Sequence, residues 1–184
     1  MAQVDKTVLV EYTCAQMFDL VRDAEQYPRF LPWCSAARVV PGESGMTRAT
    51  LHIDYHGVHT NFTTENIHQP HSTIEIRLVQ GPFRHLQGTW RFTPLGDSAC
   101  KIQLRLAYEF SSRLLEKLVG PVFGYIANNL VDAFVRRAGQ LHGSRCAHRG
   151  RGGLRDAAAP GGALGRGRVR RGGFGGAAWG PQFV

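Results

Sequence analysis

The chain has 184 residues, 43% of them hydrophobic, and a formal net charge of +8, a length suited to one domain of ordinary size. Eight arginines and one aspartate fall within residues 144–184, so residues 1–143 carry only +1. The basic pI therefore describes the C-terminal stretch; it excludes reading the body as a general nucleic-acid surface, and no DNA partner is expected.

Lys6 to Val10 is a β-branched run that predicts a first strand. Thr13 is placed to cap a short amphipathic helix carrying Ala15, Phe18, Leu20 and Val21 and ending near Asp23. In residues 25–34, Pro28 and Pro32 break any long helix, while Tyr27, Phe30, Leu31 and Trp33 crowd together as a short helix or turn plugging one end of a core. From Ala36 the hydrophobic period becomes two. Strands are expected at 37–40, 46–55, 58–68, 73–79, 85–95 and 100–110, separated by turns such as Pro41-Gly42, Gly57, Gln69-Pro70 and Gly96-Asp97. Gln80 to Phe83 is expected to be a break between two of them.

Ser111 to Gly143 has the one long helical period. Leu115, Val119, Val122, Ile126, Leu130, Phe134, Ala138 and Leu141 recur at steps of three or four, and Phe123, Ala127 and Val131 widen the stripe. Gly120-Pro121 predicts either a bend that lets the helix follow a curved sheet or a break into two helices. Such a helix spans about 45 Å and must lie on something large and apolar. The sheet is the one partner of that size. No stretch reads as membrane-spanning, and the acidic first thirty residues exclude a secretory signal.

Residues 144–184 hold 12 of the 22 glycines and no apolar period, so they are expected to be a disordered tail beyond a folded domain of residues 1–143. Their Gly, Ala, Arg and Pro have G/C-rich codons, which fits a frame-shifted or non-native end better than an RNA-binding arginine-glycine segment with regular aromatics. Cys14, Cys34, Cys100 and Cys146 form no CxxC pair, which predicts reduced thiols in a cytoplasmic protein.

Residues 27–34 (YPRFLPWC), 81–95 (GPFRHLQGTWRFTPL) and 100–115 (CKIQLRLAYEFSSRLL) together carry a resemblance. Over roughly residues 1–143 the chain resembles the START-like, helix-grip superfamily, in the branch of coenzyme Q-binding proteins and ribosome-association (RatA) toxins grouped with polyketide cyclases and lipid-transport proteins. The resemblance implies an α+β fold in which a curved antiparallel sheet of about seven strands grips the C-terminal helix, with two short helices after the first strand. It implies an apolar cavity for a hydrophobic small molecule, foremost a polyprenyl quinone (ubiquinone) or other isoprenoid lipid supporting respiration. It also implies, as alternatives, inhibition of subunit association through the large ribosomal subunit, or a cyclase-like enzyme. The first reading adds transient contact with the inner membrane's surface to a cytoplasmic location.

No catalytic motif such as GxSxG or HExxH is present, and neither a catalytic residue nor a required cofactor is expected. His52 and His56 share a strand face roughly 13 Å apart, too far to ligate one metal, so with His59 they are expected on a solvated face. Trp33, Phe83, Trp90 and Phe92 are the candidate ligand contacts, with Phe123, Ile126 and Leu130 as the cavity roof. Gly88 is expected to leave room beside the Trp90 indole, and Tyr55 and Tyr108 are the candidates a cyclase would need.

Overall fold

The computed structural model describes residues 1–143; residues 144–184, the expected tail, lie outside the described residues. The elements are β1 (Ala2–Val10), α1 (Cys14–Arg22), a 3-10 turn (Ala24–Arg29), β2 (Cys34–Pro41), a second 3-10 turn (Glu43–Gly45), β3 (Thr47–Tyr55), β4 (Val58–Gln69), β5 (Thr73–Gln80), β6 (Phe83–Pro94), β7 (Cys100–Phe110) and α2 (Arg113–His142). All seven strands form one antiparallel sheet in the order β1-β7-β6-β5-β4-β3-β2. Strands β2 to β7 are laid down side by side in chain order, while β1 closes the far edge against β7 from Ala2↔Tyr108 to Val10↔Cys100. The intervening α1 and 3-10 turn therefore carry the chain from one edge of the sheet to the other. This is the α+β helix-grip arrangement.

Local chemistry sets the element ends. The Thr13 side chain accepts from Gln16 N while Gln16 Oε1 accepts from Thr13 N at 2.9 Å, a reciprocal cap on α1. The two-residue turn between β3 and β4 needs left-handed backbone, met by His56 at φ 49° and Gly57 at φ 77°. Gly81 lies so close to Phe62 that a Cβ would stand 2.6 Å from that residue's Cβ. The register slips at Ser35, Val79 and Arg84, each an extra residue on its strand, and such bulges bend a sheet.

Four expectations about element limits need correction, the first being β2, which begins at Cys34, three residues before the expected Ala37. β1 begins at Ala2, four residues before the expected start. Gln3, Asp5 and Thr7 alternate outward, and Asp5 accepts from Gln103 Nε2 and Arg105 Nε at 3.1 Å. Phe83 opens β6 and does not belong to the preceding break, because the bulge at Arg84 hides it from the period of two. α2 continues unbroken through Pro121, so the two-helix alternative does not hold.

The buried face of α2 runs through Val119, Phe123, Ala127, Val131, Phe134 and Ala138, while Leu130 and Val122 are half-buried. Leu141 was expected in the stripe but is 53% exposed on the last turn. Outward-facing Leu114, Leu118 and Tyr125 add apolar surface on the opposite side. With both sides apolar, an 18-residue window of α2 reaches a mean hydropathy of 1.3, long and apolar enough for a membrane span. That overturns the expectation that no stretch qualifies, although the inner face of α2 is committed to the core.

Candidate functional site

The site is a cavity of about 90 Å³ between the sheet and α2. Its floor comes from alternate, inward residues of five strands: Ala49, Leu51 and Ile53 on β3, Phe62, Thr64 and Asn66 on β4, Ile76 on β5, Leu86 and Trp90 on β6, and Leu106 on β7. Ala24, Tyr27 and Trp33 close one end, and Phe123, Ile126, Ala127 and Leu130 of α2 form the roof. Period two in the floor and period 3.6 in the roof place these side chains against one another.

Five expected contacts line this cavity: Trp33, Trp90, Phe123, Ile126 and Leu130. Phe83 and Phe92 do not; both are buried behind it. Phe83 packs 4.7 Å from Phe123 and 4.9 Å from Phe110, centroid to centroid. Phe92 lies between Trp90 at 6.4 Å and Phe18 at 5.7 Å, against α1. Each packs beside a lining ring in the same layer, displaced along the sheet from the cavity. The room expected at Gly88 is also absent, since Leu106 Cδ1 fills it 3.0 Å from where a Cβ would stand.

What large aromatics could not signal is how the space arises. Ala24, Ala49 and Ala127 are short side chains among large ones, and they leave space that their larger neighbours do not fill. Thr64 and Asn66 break the apolar alternation of β4 on its inward face, a visible pattern that would have pointed to the cavity.

The lining has little acid–base capacity. Among its residues Tyr27 is the sole ionisable group, and its hydroxyl donates to the Val21 carbonyl at 2.6 Å. Burial drives its pKa far above the ordinary tyrosine value, so it stays protonated. Cys34, below the same end, is pushed up to about 11 by burial. The tyrosines a cyclase would need are elsewhere. Tyr108 packs on Phe123 at 4.8 Å, and Tyr55 stacks on Tyr125 at 5.9 Å. His59 Nδ1 lies 3.1 Å from Asp54 Oδ1 on the exposed side of the β3–β4 hairpin, away from the cavity.

The outer face of the sheet is polar. Arg105 pairs with Asp5 at 3.1 Å, Arg77 with Glu75 at 3.2 Å and Arg84 with Glu109 at 3.4 Å. Arg91 and Lys101, on neighbouring strands, enter none of the ion pairs among the described residues.

A family model described as "Polyketide cyclase / dehydrase and lipid transport" matches residues 10–135. A ribosome association toxin RatA of Vibrio cholerae is 43% identical over 143 residues, covering 78% of this chain and 99% of that one. The mitochondrial coenzyme Q-binding protein COQ10 homolog B of Xenopus laevis is 29% identical, over 77% of this chain and 59% of its own. The solved Zhui aromatase/cyclase from Streptomyces sp. R1128 superposes with a TM-score of 0.63 at 18% identity, covering 76% of this chain and 94% of that one. At that identity the likeness is one of fold.

Proposed function

The chain belongs to the polyketide cyclase, dehydrase and lipid-transport family, and we propose that it acts by binding, not catalysis, with the ribosome as its target. The observation that carries this reading is the 43% identity to a ribosome association toxin across 99% of that protein's length. The cavity supports it by its size. Sites for drug-sized ligands occupy about 300–1,000 Å³, whereas this one holds about 90 Å³. A polyprenyl quinone does not fit without lifting α2. The contact surface is the outer sheet face, where Arg91 and Lys101 offer positive charge to RNA phosphates from a body that is otherwise near neutral. A protein acting on ribosomes works in the cytoplasm.

The experiment is sedimentation of purified ribosomal subunits through a gradient with and without the full chain. Fewer joined ribosomes are expected with the protein present, and Arg91→Glu with Lys101→Glu should weaken the effect. Unchanged subunit joining at excess wild-type protein would remove the reading.

A second reading keeps the cavity as a ligand site. It is favoured by the continuous apolar lining between sheet and α2 and by the 29% identity to a coenzyme Q-binding protein. Here a quinone ring enters the space while its isoprenoid tail leaves along α2, gaining about 25 cal/mol per Å² of apolar surface covered. Solvent extraction of purified protein should then yield a quinone, and added quinone should raise Tm. Folded protein with neither property contradicts it.

A further inference from the structure

Two thiols meet outside the cavity. Cys14 is the first residue of α1 and Cys100 the first of β7, 86 residues apart in the chain, and their Sγ atoms lie 2.8 Å from each other. Each is fixed by its element. The reciprocal cap between Thr13 and Gln16 holds the first turn of α1. Cys100 is paired with Val10 of β1 on one side and Pro94 of β6 on the other. Their exposure differs, since Cys14 is partly open to solvent and Cys100 is fully buried. In the reduced state the Cys14 thiol donates to Cys100 Sγ, and the Cys100 thiol to the Lys101 carbonyl at 3.5 Å. Cys34 donates to the Ala36 carbonyl at 3.5 Å and meets no thiol among the described residues.

We propose that Cys14 and Cys100 are a modification site for hydrogen peroxide, which converts them into a disulfide clasp between α1 and the sheet. The Cys14 sulfur, its proton given up to solvent, attacks one peroxide oxygen. The O–O bond breaks, and the hydroxide that leaves takes up a proton to become water, so Cys14 is now a sulfenic acid. The Cys100 sulfur then attacks the Cys14 sulfur. An S–S bond forms, the S–O bond breaks, and the hydroxyl leaves with the Cys100 proton as a second water. Two thiols are oxidised to one disulfide while one peroxide is reduced to two waters. Position assigns the roles, because solvent reaches Cys14 and not Cys100. Burial keeps the Cys100 thiol protonated, which makes the second step the slower one. Against that, the sulfurs are already oriented in contact and need to close by less than about 1 Å to reach bonding length. A bond here closes a long loop, 86 residues in separation, and restricts the unfolded chain far more than the folded one. The site is independent of both readings of the function.

The test treats reduced full-length protein with hydrogen peroxide, blocks the remaining thiols under denaturing conditions, and maps the peptides by mass spectrometry without reduction. A linked pair joining Cys14 to Cys100 is expected, lighter by two hydrogens than the two reduced peptides together. Its formation should raise Tm by roughly 5–15 °C, and a reductant should reverse the rise. In Cys14→Ser, changed at the partly exposed position so that the core is spared, peroxide should leave Cys100 a thiol and Tm unmoved. In Cys100→Ser the Cys14 sulfenic acid should persist long enough for dimedone to capture it. Cys14 taken on to sulfinic acid without a link in the wild type would overturn the proposal. So would a link from Cys14 to Cys146, or three unchanged thiols at Cys14, Cys34 and Cys100. A Cys14–Cys100 link that leaves Tm where it was would overturn the clasp as a restraint on the fold.

Discussion

Cys34 and Cys100 show at residue scale how burial governs reactivity. Both are buried, and their thiols are pushed up to about 11 and about 12. For Cys100 the second cause is Cys14, whose Sγ is 2.8 Å away. Only the thiolate is nucleophilic, so about one Cys34 in a thousand is reactive at pH 8. Alkylation of the native protein at pH 8 should label neither Cys34 nor Cys100 at a measurable rate, while unfolding exposes both; rapid native labelling would contradict their burial. The same shifts fix a sign for stability. The folded protein holds these protons at a pH where the unfolded chain has released them, so stability is full below about pH 9 and falls as pH rises through about 11 and 12. The Tm should therefore drop over that alkaline range and be less sensitive there in Cys34→Ala.

α2 carries the lesson of the element scale. Pro121 lies inside it on an exposed position, so the helix forgoes the Lys117 carbonyl's partner. Replacing a helix-interior proline by alanine is worth up to about 3 kcal/mol. If the proline is only tolerated, Pro121→Ala should raise stability by about 1–3 kcal/mol in chemical denaturation. A loss of stability would mean that Pro121 helps set the path of α2 along the sheet. The strands and this helix were legible because single-faced burial writes its period into the chain: Ile102, Leu104, Leu106 and Tyr108 alternate inward through β7. β1 was half-hidden because an edge strand with polar residues outward carries little apolar signal. In the site, Trp33, Trp90, Phe123, Ile126 and Leu130 were readable as inward bulk, and Phe83 and Phe92 looked the same. Position along a buried face leaves no trace in a period. Nor does empty space, which here depends on Ala49 and Ala127 and on how far the sheet curls.

At the scale of the whole molecule, the fold separates two surfaces. The concave side of the sheet and α2 enclose a small apolar space without a free acid or base, and the convex side presents Arg91 and Lys101. On the proposed reading, the protein changes its target by occupying it. An enzyme would act at a small fraction of its target's concentration, whereas a binder must be present in comparable amount. The direct measurement is a titration of full-length protein into a fixed concentration of ribosomal subunits well above the dissociation constant, followed by light scattering. The account predicts that loss of joined ribosomes rises linearly to a break near one copy per large subunit and reverses when salt weakens phosphate contacts. Complete and irreversible loss of joining at a few copies per hundred subunits would contradict it.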